Sequence, residues 1–186
     1  MNKNKINIIS GKFYKRKLLL DNYNNQMRPT TNFIRKILFN WLRYNIKNSI
    51  CLDCFAGSGV LGIESLSHGA KKIIFIEKNY NTIKKLKKNI DLLKLKNVQI
   101  IYNDTLNWLM HFGKPQDIIF IDPPFFSSDI FLIEKLIFIL EKYNWLKIGS
   151  YIYIEYYYLR KNILTPNILK LHKKKKKKII CNLYIR

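Results

Sequence analysis

The chain has 186 residues, 48% of them hydrophobic, which suits one globular domain with a real core. Three cysteines are too few to staple a secreted scaffold and point to a reducing cytoplasm, and Met1-Asn2-Lys3-Asn4-Lys5 leads into no long apolar stretch, so neither a signal peptide nor a membrane span is expected. The net charge of +22 sits at the ends: residues 1–48 and 159–186 each carry +10, and residues 49–158 only +2. Such a field attracts a polyanion, and nucleic acid is the natural candidate. Lys, Ile and Asn make up 78 of the residues, so AT-rich codon usage accounts for many lysines but less well for the near-neutral middle.

Residues 6–9 and 14–20 read as a hairpin around Ser10-Gly11. Phe13, Tyr14, Lys15, Arg16 and Lys17 mix rings with charge, which suits RNA bases and backbone or simply a solvated hairpin. A polar loop over 21–27 precedes Arg28-Pro29-Thr30-Thr31. Pro29 resists helix before it, and Thr30 or Thr31 can cap the helix after it. That helix extends to about residue 44, with Phe33, Ile34, Ile37, Leu38, Trp41 and Leu42 on a helical period. Arg28 and Arg35 either meet phosphate or solvate their faces.

From residue 50 the pattern alternates. Strands are expected at 50–55, 72–77, 98–102, 117–121 and 151–156, and helices from the loop at Gly57–Gly62 to about 67, then at 80–94, 105–112 and 129–143. Short apolar strands spaced by helices imply a parallel sheet covered on both faces. Residues 168–185 look like a closing hairpin around the six-lysine run Lys173–Lys178, itself read as a solvated edge or loop. The whole chain, 1–186, reads as one domain, with 1–48 an N-terminal extension and 49–186 the core.

Gly57, Gly59 and Gly62 form G-x-G-x-x-G after a strand and at the start of a helix, where bare backbone lets a cofactor approach. Glu77 ends the next strand, twenty residues on, where a carboxylate can accept both ribose hydroxyls. A dinucleotide or another adenosyl cofactor fits equally to this point. Asp53, on the strand before Gly57, can act near a cationic amino-acid end, and Asp104 can accept from an adenine amino group while also capping a helix. These two favour S-adenosylmethionine. The candidate cofactor contacts are Asp53, Phe55, Gly57, Ser58, Gly59, Glu77, Asp104 and Thr105.

Asp122-Pro123-Pro124-Phe125 follows the fourth core strand. Two prolines stiffen the loop and remove two donors, so Asp122 and the Pro123 carbonyl can serve as an acceptor pair for a planar amino group, with Phe125 as a flat face for the base. An exocyclic base nitrogen is a poor nucleophile because its lone pair is delocalised. Holding both its hydrogens turns that lone pair toward a methyl donor, and positioning of this kind supplies up to about 7–11 kcal/mol of a barrier. The candidate catalytic set is Asp122, Pro123, Pro124 and Phe125.

Arg28-Pro-Thr-Thr with Leu38-Phe-Asn-Trp-Leu42, Leu52-Asp-Cys-Phe-Ala-Gly-Ser-Gly59 with Gly62, and Asp122-Pro-Pro-Phe125 together resemble the bacterial small-subunit 16S rRNA (guanine-N2)-methyltransferase family, over nearly the whole chain and in the same order. The resemblance implies a Rossmann-like class I S-adenosylmethionine-dependent methyltransferase, an α/β fold with a seven-stranded doubly wound sheet preceded by a β-hairpin and helix. The expected core strand order is 3-2-1-4-5-7-6, with the last strand antiparallel. It implies methylation of the exocyclic N2 of a guanine in 16S rRNA, within the assembled 30S subunit, and it places Thr30 and Thr31 near the cofactor. Expected with it are a cytoplasmic monomer, no metal and no membrane. The rival readings are a DNA adenine-N6 or cytosine-N4 amino-methyltransferase, a nicotinamide oxidoreductase, and a non-catalytic RNA-binding module. Cys51 and Cys54 point to opposite faces of a strand and read as core thiols rather than metal ligands. Glu64 reads as structural.

Overall fold

In this computed structural model residues 5–20, 30–124, 130–157, 163–166, 169–176 and 179–186 are described. The centre is a seven-stranded sheet built from β3 (Ile50–Asp53), β4 (Lys72–Glu77), β5 (Val98–Tyr102), β6 (Gln116–Ile121), β7 (Leu146–Tyr157), β8 (Lys170–Lys176) and β9 (Ile179–Ile185). The spatial order is β5-β4-β3-β6-β7-β9-β8. Strands β3 to β7 pair in parallel, and β9 runs antiparallel to both β7 and β8. Counted from β3 this is the expected order with the expected reversal of the last strand.

Side-chain alternation divides the core into two layers. Leu52, Ile74, Ile76, Ile119, Ile121, Ile152 and Ile154 pack on α5 (Ile130–Lys142) and α4 (Thr105–Leu109). Cys51, Ile73, Phe75, Ile118, Phe120 and Tyr153 pack on α1 (Asn32–Trp41), α2 (Val60–Ser67) and α3 (Tyr80–Leu92). Both faces of each central strand are therefore apolar, which is why these segments read as runs rather than as alternation. Cys51 and Cys54 lie in different layers, as free buried thiols.

The hairpin strands are shorter than expected: β1 (Lys5–Asn7) and β2 (Lys17–Leu19). Backbone pairing continues past the strands, Ile8 N donating to the Arg16 carbonyl at 2.9 Å and Lys15 N to the Ile8 carbonyl at 3.0 Å, and the loop between them docks on the end of α2. Lys12 N donates to the Ser67 carbonyl at 2.8 Å, and Phe13 N donates to Ser67 Oγ at 3.0 Å. Gly11 makes that approach possible: its φ is +78°, and a Cβ there would lie 2.1 Å from the Ser67 carbonyl oxygen. At the other end, β7 starts earlier than expected. Gly149, at φ +86°, accommodates a register shift against β6, and Ser150 Oγ donates to the Gln116 carbonyl at 2.6 Å. The lysine run begins within β8, the edge strand, where charge discourages pairing with another chain. Among the described residues no helix is long and apolar enough to cross a membrane.

Gly62 lets α2 lie close on the sheet, since a Cβ would come within 2.2 Å of the fully buried Phe75 ring. Gly62→Ala is therefore expected to destabilise the fold by about 1–3 kcal/mol despite the better helix propensity of alanine, measured by urea unfolding.

Candidate active site

Strand order reverses between β3 and β6, so the loops leaving their carboxyl ends diverge and open a cleft of about 470 Å³. The β3 exit carries Asp53 and the glycine loop; the β6 exit carries Asp122, Pro123 and Pro124, all walls of the cleft. Phe55, Gly57, Ser58, Glu77, Asp104, Thr105 and Thr30 line it as well. Leu20, Val60, Leu61 and Ile76 add apolar wall that the sequence motifs do not single out.

The glycines divide the work. Gly57 has φ +53° and open space where a Cβ would stand, so backbone faces the cleft there. Its N–H donates to Glu77 Oε2 at 3.0 Å, and Asn79 N donates to Oε1 at 2.8 Å, which fixes the Glu77 carboxylate at the rim. Gly59 does not line the cleft. At φ +82° it caps α2, and a Cβ would meet Leu86 Cδ1 at 2.4 Å, so it serves the turn and the packing against α3.

Asp53 is 2% exposed, and its Oδ1 has no hydrogen-bond partner. Burial, reinforced by the negative charge of Asp122, pushes its carboxyl up to about 7, against the pull of the Phe55 and Gly62 N–H groups. Asp122 is partly buried and accepts from Thr30 Oγ1 at 2.6 Å; burial raises it to about 6, and the Thr30 bond works the other way. Asp104 caps α4, accepting from Leu106 N at 3.0 Å, and still borders the cleft. The Thr105 hydroxyl donates to the Cys54 carbonyl, tying α4 to the end of β3. Thr31 is a correction: it caps α1 through Ile34 N at 3.3 Å and is not a wall of the cleft, because only Thr30 turns toward Asp122.

An apolar-walled cleft lined by carboxylates, one with an orphaned buried oxygen, suits a ligand that brings a cation and hydroxyl donors. The open backbone at Gly57 leaves room for it. The residues present thus fit S-adenosylmethionine.

The nucleic-acid candidates separate. Tyr14, Lys15, Arg16 and Lys17 are exposed on the hairpin loop, with Lys15 Nζ 5.2 Å from the Tyr14 ring centre; Phe13 is partly buried beneath them. Arg35 is overturned as a phosphate contact. It is 0% exposed and paired with buried Glu64, and it donates to the Asn7 carbonyl at 3.1 Å and to Asn32 Oδ1. Glu64 also accepts from Ile9 N at 3.1 Å, so this ion pair stitches α1 and α2 to the hairpin, the structural role expected of Glu64. Arg28 and Phe125 lie outside the described residues.

One group was missed. Glu155 on β7 is 1% exposed and accepts from Tyr153 OH at 2.8 Å; burial, with the negative charge of Asp122, pushes its carboxyl up to about 9. The available signal was a carboxylate in the middle of an apolar strand.

A doubly wound sheet with reversed last strand, and a glycine loop and acidic cleft at its switch point, define a class I methyltransferase fold. The chain belongs to the family described as Conserved hypothetical protein 95, which it matches over residues 6–185. It is 49% identical over 183 residues to Ribosomal RNA small subunit methyltransferase D of Buchnera aphidicola subsp. Acyrthosiphon pisum, covering 97% of this chain and 93% of that one. It is 40% identical over 150 residues to the Escherichia coli K12 protein of the same name, covering 81% and 74%. It is also similar to the solved structure of yhhF from Escherichia coli, with a TM-score of 0.89 at 35% identity over 98% of both chains.

Arg35→Ala would leave Glu64 buried and unpaired, at a cost of about 3–5 kcal/mol in urea unfolding.

Proposed function

We propose that the chain transfers a methyl group from S-adenosylmethionine to the exocyclic N2 of a guanine in 16S rRNA, within the assembled 30S subunit. The observation that carries this reading is the placement of Asp122-Pro123-Pro124 on the same cleft as Asp53 and Glu77, in a chain so similar to enzymes named for small-subunit rRNA methylation.

Asp53, Glu77 and Asp104 would hold the cofactor, with the Gly57 backbone and Ser58 alongside. When bound, S-adenosylmethionine supplies an electrophilic methyl group on a sulfonium. Asp122 and the Pro123 carbonyl accept the two N–H groups of the base and aim the nitrogen lone pair into the cleft. The apolar walls strengthen both hydrogen bonds by excluding water. Asp122 takes the proton that the nitrogen sheds as positive charge grows on it, and its value of about 6 keeps it ionised at neutral pH. Phe125 belongs to this proposal as a stacking face. The exposed Tyr14 ring and the cations Lys15, Arg16 and Lys17 over partly buried Phe13, with the basic C-terminal strands, would engage rRNA bases and phosphates, and Arg28 is proposed as a further phosphate contact.

The test is mass spectrometry of 16S rRNA nucleosides after incubation with unmodified 30S subunits and labelled S-adenosylmethionine, with duplex DNA as control. The expected product is N2-methylguanosine in 16S rRNA alone. Label in DNA, on another base or nowhere would refute the reading. Asp122→Asn should lower kcat by about 10²–10³ and leave cofactor binding in place, by analogy with loss of one preorganised hydrogen-bonding group.

A further inference from the structure

At the rim of the cleft beside Glu77 two exposed tyrosines stand together, with no part in the proposed chemistry. Along β5, Val98, Ile100 and Tyr102 share one side of the strand. Val98 and Ile100 pack on the layer of α1, α2 and α3, whereas Tyr102 lies past the end of that core and is 63% exposed. Its register partner on β4 is Glu77. Tyr80, the first residue of α3, is 54% exposed. The two ring centres lie 5.9 Å apart, with the planes at 46°. Tyr80 follows Asn79 directly and Tyr102 precedes Asp104 by two residues, and both of those neighbours line the cleft.

A lone exposed ring is ordinary on a protein surface. Here two rings and a cation gather at the mouth of a cleft. Lys84 Nζ lies 4.6 Å from the centre of the Tyr80 ring, one turn along α3, which leaves Tyr102 the more open of the two faces. Beyond Tyr80 the helix exposes Lys84, Lys87, Lys88 and Asp91, a spacing that puts them on one face. Three cations thus follow the ring pair before the first acid of that face. Among the described residues the other charges on this side of the cleft are Lys78 and Asp104, which pair with each other at 3.8 Å, and Glu77, held by two backbone N–H groups.

We propose that Tyr80 and Tyr102 form a stacking platform for an unpaired RNA strand, and that Lys84, Lys87 and Lys88 take its phosphates along α3 away from the cleft. This rests on the proposed function, and the strand held there is the one that flanks the methylated guanine. Rings and cations together fit a nucleic acid better than either fits alone, since every base has a flat face and every nucleotide a negative charge. The platform reads no sequence. It reads the absence of pairing, because a base inside a duplex is already stacked on its neighbours. Such a grip serves the chemistry. A guanine enters the cleft only after leaving its own stack, and capture of a nearby base on Tyr102 holds the strand open while it does so. The binding energy comes from a part of the substrate remote from the reacting nitrogen.

The experiment measures, by fluorescence anisotropy, binding of a short labelled adenine-rich RNA, single-stranded or annealed to its complement. Calorimetric affinity for S-adenosylmethionine and KM for 30S subunits are read on the same proteins. Tyr102→Leu keeps apolar bulk but loses the flat face. It should bind the single strand about tenfold more weakly, within what stacking of one base supplies, and raise KM for 30S subunits by a similar factor. Duplex binding and cofactor affinity should not change. Tyr102→Phe, which keeps the ring, should behave as wild type. Lys84→Gln, Lys87→Gln and Lys88→Gln combined should lessen the slope of log affinity against log salt by about two, at about 0.7 for each phosphate contact on a single strand. A leucine variant that binds the single strand like wild type, or that loses duplex binding equally, would overturn the platform. So would a fall in cofactor affinity, which would assign the ring to the adenine of the cofactor, and an unchanged salt slope would overturn the lysine track. A wild type that methylates nothing but loses single-strand binding in Tyr102→Leu would overturn the proposed function and leave the platform standing.

Discussion

Negative charge crowded into an apolar cleft is the constraint around which this molecule is organised. Asp53 leaves β3 and Asp122 leaves β6 side by side, and each raises the cost of ionising the other. Asp53 holds an oxygen with no partner, and among the described residues the one cation on the cleft wall, Lys78, pairs with Asp104 rather than with either of them. A fold that buries such groups gives up stability at that edge. The loss is offset where a positively charged ligand enters, because binding to the folded state alone stabilises it by mass action. The site is in this sense a socket prepared for a cation.

The architecture explains why the charges converge there. Parallel strands bring every strand-to-helix loop to the same edge, and the reversal of strand order between β3 and β6 lets two of those loops part. Glu77 reaches the rim from β4, held by two backbone N–H groups, and Asp104 arrives at the start of α4. The hairpin and α1 close the near side. Their attachment depends on the buried Arg35–Glu64 pair and on the Ser67 contacts at the end of α2, so a structural salt bridge remote from the chemistry positions Thr30 beside Asp122.

Much of this was legible in the amino-acid order. Strands β4 and β5 match expectation residue for residue, because apolar runs bounded by turn residues leave little choice of register. The glycine loop, Glu77, Asp104 and Asp122 were legible because their chemistry is tied to local spacing. What escaped depends on distant partners. Arg35 looks like a surface cation until Glu64, twenty-nine residues away, is placed beside it. The part Gly59 plays in packing is invisible until Leu86 fills the space where its side chain would be. The docking of the hairpin loop is set by α2, which no local pattern reports. Glu155 sat in plain view, but its burial beside Tyr153 is visible only in the folded sheet.

The most direct test of the socket is calorimetric binding of S-adenosylmethionine to the wild-type chain and to Asp53→Asn on either side of the pH at which Asp53 loses its proton, about 7. A cationic ligand binds the ionised carboxylate, so wild-type affinity should rise as the pH increases through that value and level off above it. Below it, a carboxyl proton must be expelled first, which costs up to about tenfold for each pH unit. Asp53→Asn should bind more weakly on the alkaline side and lose this dependence. An asparagine variant with wild-type affinity and the same pH profile would contradict the account.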